Sequence, residues 1–480
     1  MKVLFVMRDI KMCEHLGIMY ISSILKKNGH ETDLVQTDLE DYEKKIKDFS
    51  PDILAYTTTT GEHKPLIDIN KKIKKTFPHL ISLFGGPHPT FFPEMIESEG
   101  VDIICRGEGE FIILDLVNAL KEKKSIDNIQ GIWVKKDNKI FKNPMQPLTK
   151  DLDLIPFPDR EIIYNHDKNL KEFGEKRILI GRGCPFRCTY CFNNRLSNLY
   201  GAEWDRVRKR SVSNVIKEVK EIIEKYPVEF IRIVDDTFIM CDKKWLEEFA
   251  EMFKKEINIP FFCNVRANLV TEDVVRLLKK AGCFSIFMAI ETGDEKVRNT
   301  LLKRNMSDED LFKACKLLRN ADIKYGFYNM FGLPVENALE VDFKTLDLNI
   351  KLKPTMAWSS IFTPFPKTEL GEYCIKHGYF DGDFDKIEAN PKIGSVLKFK
   401  NKKEKRQIEN LHKLFGITVE FPFLRPLTKQ LIKLPPNKLF NIINMGWYGW
   451  VLKVRMSTIK ITIPKLFKWA KVVMKHTKSE

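Results

Sequence analysis

The sequence predicts an α/β protein in three parts: a doubly wound, Rossmann-like parallel sheet, a partial (β/α)6 TIM-like barrel, and a basic, mainly helical C-terminal region. Three observations predict it. Short apolar runs alternate with amphipathic segments from residue 1 to about 125, the pattern of parallel strands joined by crossover helices. A second alternation runs from about 173 to 385. Between them lies Asp151-Leu152-Asp153-Leu154-Ile155-Pro156-Phe157-Pro158, whose two prolines make a stiff crossing segment. The expected boundaries are 1–150 with a linker to about 172, then 173–385 and 386–480.

In the first part, strands are expected at 3–7, 32–35, 53–57, 80–84 and 101–105. Helices are expected at 16–28, 42–49, 65–76, 93–99 and 111–121, with a hairpin of 132–134 and 139–141 around Asp137-Asn138. Open parallel sheets bind ligands at the carboxyl ends of their strands. Three loops fall there. Tyr56-Thr57-Thr58-Thr59-Thr60-Gly61 is small and rich in hydroxyls. Gly85-Gly86-Pro87-His88-Pro89-Thr90 has paired glycines that let backbone approach a ligand closely. Arg106-Gly107-Glu108-Gly109-Glu110 leads directly into a helix. Any one alone reads as a tight turn; three at successive strand ends make a candidate binding edge.

In the second part, strands are expected at 178–181, 230–234, 261–265, 284–290, 325–330 and 355–362. Barrel enzymes place their chemistry at the carboxyl ends of such strands. The first is followed by Gly181-Arg182-Gly183-Cys184-Pro185-Phe186-Arg187-Cys188-Thr189-Tyr190-Cys191, a C-x3-C-x2-C loop. Thiolates this close on one loop suit a metal cluster better than a disulfide. A structural zinc site needs a fourth ligand, and the loop offers no further Cys or His. A C-x2-C redox pair leaves Cys184 unexplained. A 4Fe–4S cluster held by Cys184, Cys188 and Cys191 would keep one iron open to a small molecule. Asp235 and Asp236 end the second strand, and paired carboxylates can serve as acid and base. Arg266, in Asn264-Val265-Arg266-Ala267-Asn268, can pair with a carboxylate as a planar fork. Each of these charged residues also has a plain structural reading, as an ion pair or a cap.

Ten cysteines in 480 residues are too few for a secreted disulfide scaffold. The seven outside the loop are scattered through apolar runs and read as core thiols, so a reducing cytoplasm is expected. The first residues read as a strand, not a signal peptide. No window is apolar for long enough to span a bilayer.

The cysteine loop, with Tyr190 before its last cysteine, resembles the signature of the radical S-adenosylmethionine (SAM) enzymes. The strand-end strings Ala289-Ile290-Glu291-Thr292-Gly293, Leu302-Lys303-Arg304-Asn305, Phe331-Gly332-Leu333-Pro334 and 363–370 are similar to that family as well. The three loops of the first part, with Leu16-Gly17-Ile18 and 25–31, resemble the cobalamin-binding domain fused to one large radical SAM subfamily. That resemblance implies the cofactors: a 4Fe–4S cluster, SAM and cobalamin. It implies that Cys184, Cys188 and Cys191 bind the cluster. Tyr190, Arg266, Glu291, Arg304 and Gly332 would contact SAM, and Asp235 and Asp236 would lie beside its amino group. Thr57, Thr58, Thr59, Gly85, Gly86, Gly107 and Glu108 would contact cobalamin. Many cobalamin-binding domains supply a lower axial histidine from a D-x-H-x-x-G loop, which radical SAM relatives often lack; the pattern fails here, since His15 is present but Gly17 follows only two residues on. His15 therefore reads as a surface or helix-start residue, and His88 as a hydrogen-bonding loop residue.

The resemblance further implies cleavage of SAM to a 5′-deoxyadenosyl radical, and most commonly methylation of an unactivated carbon through methylcobalamin. A radical rearrangement or oxidative cyclisation is the alternative, and a non-catalytic cobalamin or redox sensor is another. The expected partners are a small-molecule or lipid-like substrate and an external electron donor of flavodoxin or ferredoxin type.

The net charge of +15 sits almost wholly in the tail. Residues 401–480 hold 17 Lys/Arg against 4 Asp/Glu, whereas the first 400 are nearly balanced. From 421 to 479 there are 12 basic residues and no acid. Large apolar residues interleave with them, and 463–474 reads as a basic amphipathic helix with Trp469 and Phe467. Peripheral contact of 421–480 with the inner face of an anionic membrane is therefore expected. No nucleic-acid module accompanies the charge.

Overall fold

The computed structural model describes residues 1–459 apart from 12, 138 and 388–393. The chain divides into two compact units. The first comprises Met1–Phe173 with Leu199–Glu203, and the second comprises Gly174–Asn198 with the chain from Trp204 on.

The first unit is built on a sheet of β1 (Lys2–Met7), β2 (Glu31–Gln36), β3 (Ile53–Thr57), β4 (Ile81–Gly85), β5 (Ile103–Cys105), β6 (Ile132–Lys136) and β7 (Lys139–Lys142), in the order β2-β1-β3-β4-β5-β6-β7. β1 to β5 are parallel, and the β6–β7 hairpin adds antiparallel to the β5 edge. Val3, Leu4, Val6, Leu54 and Phe84 are buried along consecutive or alternate positions, because helices cover both faces of a crossover sheet. The expected crossing segment stays with this unit. Arg160 pairs with Glu14 at 2.7 Å, both buried, and the Tyr164 hydroxyl donates to the same carboxylate.

The second unit holds six parallel strands: β8 (Glu175–Ile178), then, after the short antiparallel pair β9 (Gly181–Arg182) and β10 (Arg208–Lys209), β11 (Phe230–Ile233), β12 (Phe261–Val265), β13 (Cys283–Glu291), β14 (Lys324–Phe331) and β15 (Met356–Ile361). The sheet order is β15-β14-β13-β12-β11-β8, so the partial barrel stays open between its first and last strands. The first strand begins three residues before its expected start at 178. Its charged opening hides it: Glu175 is sheltered in a two-pronged ion pair with Arg232 of the neighbouring β11, at 2.7 and 3.2 Å. Ile180 lies beyond the sheet and donates its N–H to Asp235 at 2.8 Å.

The described part of the basic region packs on this second unit. Helix Lys402–Glu420 buries Ile408, Leu411 and Phe415 against Phe331, Leu346 and Ile361. Helix Lys438–Trp450 turns Phe440 and Trp447 inward, and the Tyr448 hydroxyl accepts the Ser359 N–H at 2.9 Å. Among the described residues no helix is long and apolar enough to cross a membrane. The helix expected at 463–474 lies outside the described residues. The ten thiols form no disulfide.

Candidate functional site

Parallel strands end on one edge of the sheet, so β8, β11, β12 and β13 bring four chain segments to a common rim. There they line a cavity of about 230 Å³. Cys184, Cys188, Tyr190, Cys191, Asp235, Asp236, Arg266 and Arg304, all singled out in the sequence, lie on its wall. The cysteine loop is held in place by Thr189, whose hydroxyl donates to the Leu301 carbonyl at 2.7 Å, three residues before Arg304. Gly183 has φ +98°, and a Cβ there would meet the Arg206 carbonyl at 2.8 Å. Only glycine allows the turn at that closeness.

Burial pushes the Cys184 thiol up to about 11 and the Cys191 thiol up to about 12. Thiolates gathered in such a site call for a cation to compensate their charge. Among the described residues no three His, Cys, Asp or Glu side chains converge closely enough for a single metal ion. The three thiols share the wall of one cavity instead, an arrangement suited to a multi-iron group. Two guanidinium groups face Cys188: Arg304 Nη1 at 3.4 Å and Arg266 Nη1 at 3.9 Å from its sulfur. Arg266 is flattened on the Phe186 ring, 3.8 Å from its centre. Burial works against the Arg304 charge, but Tyr190, Cys188 and Glu291 outweigh it and hold the guanidinium above its ordinary value.

The two aspartates differ. Asp235 is 2% exposed; it accepts the Ile180 N–H at 2.8 Å and forms an ion pair with Lys209 at 2.6 Å. Both of its oxygens are therefore engaged in holding β11 to the cysteine-loop entry. Asp236 lines the cavity and is the exposed one of the two. Desolvation pushes its carboxyl up, helped by the charge of Asp235 and opposed by a hydrogen bond with Asn193. Glu291 accepts the Tyr190 hydroxyl at 2.7 Å, and burial raises its carboxyl too. Glu291 has φ +69°, where a register shift breaks the β13–β14 ladder. That bulge re-aims its side chain toward Tyr190. Gly332 is not on the cavity wall; its N–H donates to the buried Asp342 at 3.1 Å.

Sequence reasoning missed Asn193, Phe186, Lys209 and Asn264. Asn264 Oδ1 and Arg304 Nε are buried without a hydrogen-bond partner. Both residues line the cavity, so two polar atoms there await a bound group. Thiols, guanidiniums and unpartnered polar atoms together fit an iron–sulfur cluster with a charged, amino-acid-like ligand beside it.

In the first unit, the three glycine- and threonine-rich loops form one edge. Thr58 donates its N–H and hydroxyl to the Gly85 carbonyl, at 2.8 and 3.0 Å. The Thr90 hydroxyl donates to Gly86 O at 2.8 Å and accepts the Gly107 N–H at 3.0 Å. Gly86 has φ +96°, and a Cβ there would strike Thr58 O at 2.9 Å and Thr57 Oγ1 at 3.2 Å. Thr59 is outermost, its hydroxyl on Glu62 at 3.2 Å. Glu108 caps no N–H of the helix Gly109–Lys121 that it precedes. His88 stacks on His63 and shares a hydrogen bond with Thr60 at 3.2 Å; it stands buried in a short helix, Pro87–Phe91, and not in the expected loop. His15 stands at the start of helix Leu16–Lys27, its ring on the Ile10 carbonyl at 3.0 Å.

The B12 binding domain family matches residues 6–117, and the radical SAM superfamily matches residues 178–343. The chain is a radical SAM protein with an N-terminal B12-binding domain. The cofactors of this radical SAM protein are a 4Fe–4S cluster, SAM and cobalamin. It is similar to an uncharacterized methyltransferase of Pyrococcus horikoshii, with 28% identity over 75% of this chain and 78% of that one. It is also similar to the anaerobic magnesium-protoporphyrin IX monomethyl ester cyclase of Rubrivivax gelatinosus, with 26% identity over 74% of this chain and 65% of that one. The cobalamin-dependent SAM radical enzyme OxsB, with aqua-cobalamin bound, shares its fold. There the TM-score is 0.66 at 16% identity, covering 99% of this chain and 75% of that one.

Proposed function

We propose that this cobalamin-dependent radical SAM enzyme methylates an unactivated carbon of a small-molecule or lipid-like substrate. The observation that carries the reading is the wall shared by three thiols, two guanidiniums and two unpartnered polar atoms, in a chain that also has a B12-binding domain. Methyl transfer is favoured over other radical outcomes by the similarity to a methyltransferase along most of both chains.

Bound together, the cofactors supply a 5′-deoxyadenosyl radical and a transferable methyl group. The chain's own residues do the rest by binding and orienting. Cys184, Cys188 and Cys191 hold the cluster. Arg266 and Arg304 offer forked donors to the SAM carboxylate. Asp236 offers an acceptor to its ammonium group, while Asp235 fixes the loop geometry from behind. Tyr190 is on the cavity wall and Glu291 is not; Glu291 accepts the Tyr190 hydroxyl and so fixes that ring in place. Thr57, Thr58, Thr59, Gly85, Gly86, Gly107 and Glu108 form the cobalamin edge. Electrons come from an external flavodoxin- or ferredoxin-type donor.

The test is anaerobic reconstitution with iron, sulfide and cobalamin, followed by mass analysis of SAM products and of any captured metabolite. Expected are 5′-deoxyadenosine and a product heavier by one CH2, a methyl group in place of the abstracted hydrogen, both absent in the C184A/C188A/C191A variant. A product without added mass favours cyclisation or rearrangement, the reading to which the cyclase relative points. No 5′-deoxyadenosine under strong reductant favours a sensor.

A further inference from the structure

The described part of the basic region carries a surface that catalysis does not use. Fourteen large apolar side chains are exposed among the described residues, and nine of them fall between Phe421 and Val454. Helix Lys438–Trp450 explains why this is unusual. Its inner side is already satisfied: Phe440 and Trp447 are buried, and Trp447 lies so close to Gly416 that a Cβ there would meet its ring at 2.2 Å. A surface helix anchored in this way ordinarily turns polar residues outward. This one presents Leu439, Ile442, Met445 and Trp450, at helical spacing on one outward face. Phe423, 76% exposed, and Leu427, 51% exposed, are bare on the preceding turns. A cluster of this kind marks a binding surface.

Charge decides what it binds. Residues 421–479 contain 12 Lys/Arg and no Asp or Glu. Arg425 and Arg455 turn onto Asp347 and Glu420. Lys429, Lys433 and Lys438 are exposed beside the apolar residues and form no carboxylate pair among the described residues. A protein partner would have to match three lysines without a carboxylate partner among the described residues, set in sequence among bare aromatic and aliphatic side chains. An anionic bilayer matches it directly, with headgroups for the lysines and the acyl boundary for Phe, Leu, Ile and Trp.

We propose that helices Arg425–Leu431 and Lys438–Trp450 form a monotopic docking surface for an anionic lipid bilayer. The surface lies entirely on the second unit. Its anchoring is independent of the cavity, and the chain would lie on the membrane without crossing it.

The experiment is co-sedimentation of the full chain with vesicles of phosphatidylcholine alone and of phosphatidylcholine with phosphatidylglycerol. Binding to the anionic vesicles, weakened by salt, is expected. The F423S/L439S/I442S/W450S variant should lose at least about tenfold in partitioning. K429E/K433E/K438E should lose the preference for phosphatidylglycerol. Brominated acyl chains should quench tryptophan fluorescence in the parent and less in W450F, a comparison that stands even if the quadruple variant fails to fold. The proposal is overturned by no binding of the parent, by binding unchanged in the quadruple variant, or by equal quenching of parent and W450F. It is also overturned by a concentration-dependent dimer that the apolar variant dissolves without any vesicle binding.

Discussion

Arg304 Nη1 lies 3.4 Å from Cys188 Sγ and 3.2 Å from the Tyr190 hydroxyl, so one guanidinium bridges two residues of the cysteine loop from a segment more than a hundred residues away. The Arg304→Met variant removes that positive charge and leaves Cys188 and Tyr190 without it. SAM affinity, read by isothermal titration of reconstituted protein, should fall by about ten- to a hundredfold, the worth of a charge-assisted hydrogen bond. Iron content should stay near that of the parent, which separates ligand binding from cluster assembly.

Asp235→Asn and Asp236→Asn should behave differently. The first leaves Lys209 buried without its counter-charge and should cost about 3–5 kcal/mol in urea unfolding. The second removes no structural ion pair, so its unfolding midpoint should stay close to the parent's. Its SAM affinity and 5′-deoxyadenosine yield should drop. Equal destabilisation by both would refute the division of roles.

Gly86→Ala places a methyl group against Thr58 O at a backbone angle of +96°. A cost of about 1–3 kcal/mol is expected from the backbone alone, since φ +96° with ψ −169° is a conformation essentially reserved for glycine. Because Thr58, Gly85 and Thr90 are tied to this turn, cobalamin affinity should weaken, as read by the absorbance change on titration. SAM binding should be untouched.

His166 makes the first unit's stability depend on pH. Burial lowers its affinity for a proton, but Asp33 and Glu40, at 3.6 and 2.8 Å, outweigh that and raise its pKa from 6.5 to about 9. A folded value above the unfolded one means the contribution is whole below pH 6.5 and is lost as pH rises through about 9. Asp33 goes the other way. Burial opposes it, but His166 and Lys45 hold it down at about 2, so its contribution is present above 3.8 and is lost as pH falls through about 2. Urea unfolding between pH 6 and 10 should show a decline that His166→Gln removes.

Local pattern made much of this molecule legible. Apolar runs buried on both faces marked β1, β3 and β4, and the motifs at strand ends fell on the rim that parallel pairing makes common. β8 was misjudged by position because Glu175 and Arg232 cancel each other only across neighbouring strands. Lys209 gave no sequence signal, and Asn264 stood in the Arg266 string without a role, since each matters through a residue distant in the chain. The exposed face of Lys438–Trp450 was hidden for the same reason. Composition marked the region as basic and apolar, but which side was already filled depended on Gly416 in another helix.

By itself, then, the sequence determined the α/β class, the cysteine loop and the order of the two units, because these rest on periodicity and on spacing within short stretches. Tertiary structure alone decided which aspartate is free to meet a ligand, which guanidiniums reach Cys188 and which helix face is left bare. The physical reason is that burial and pairing belong to neighbours in space, and those neighbours come from remote parts of the chain.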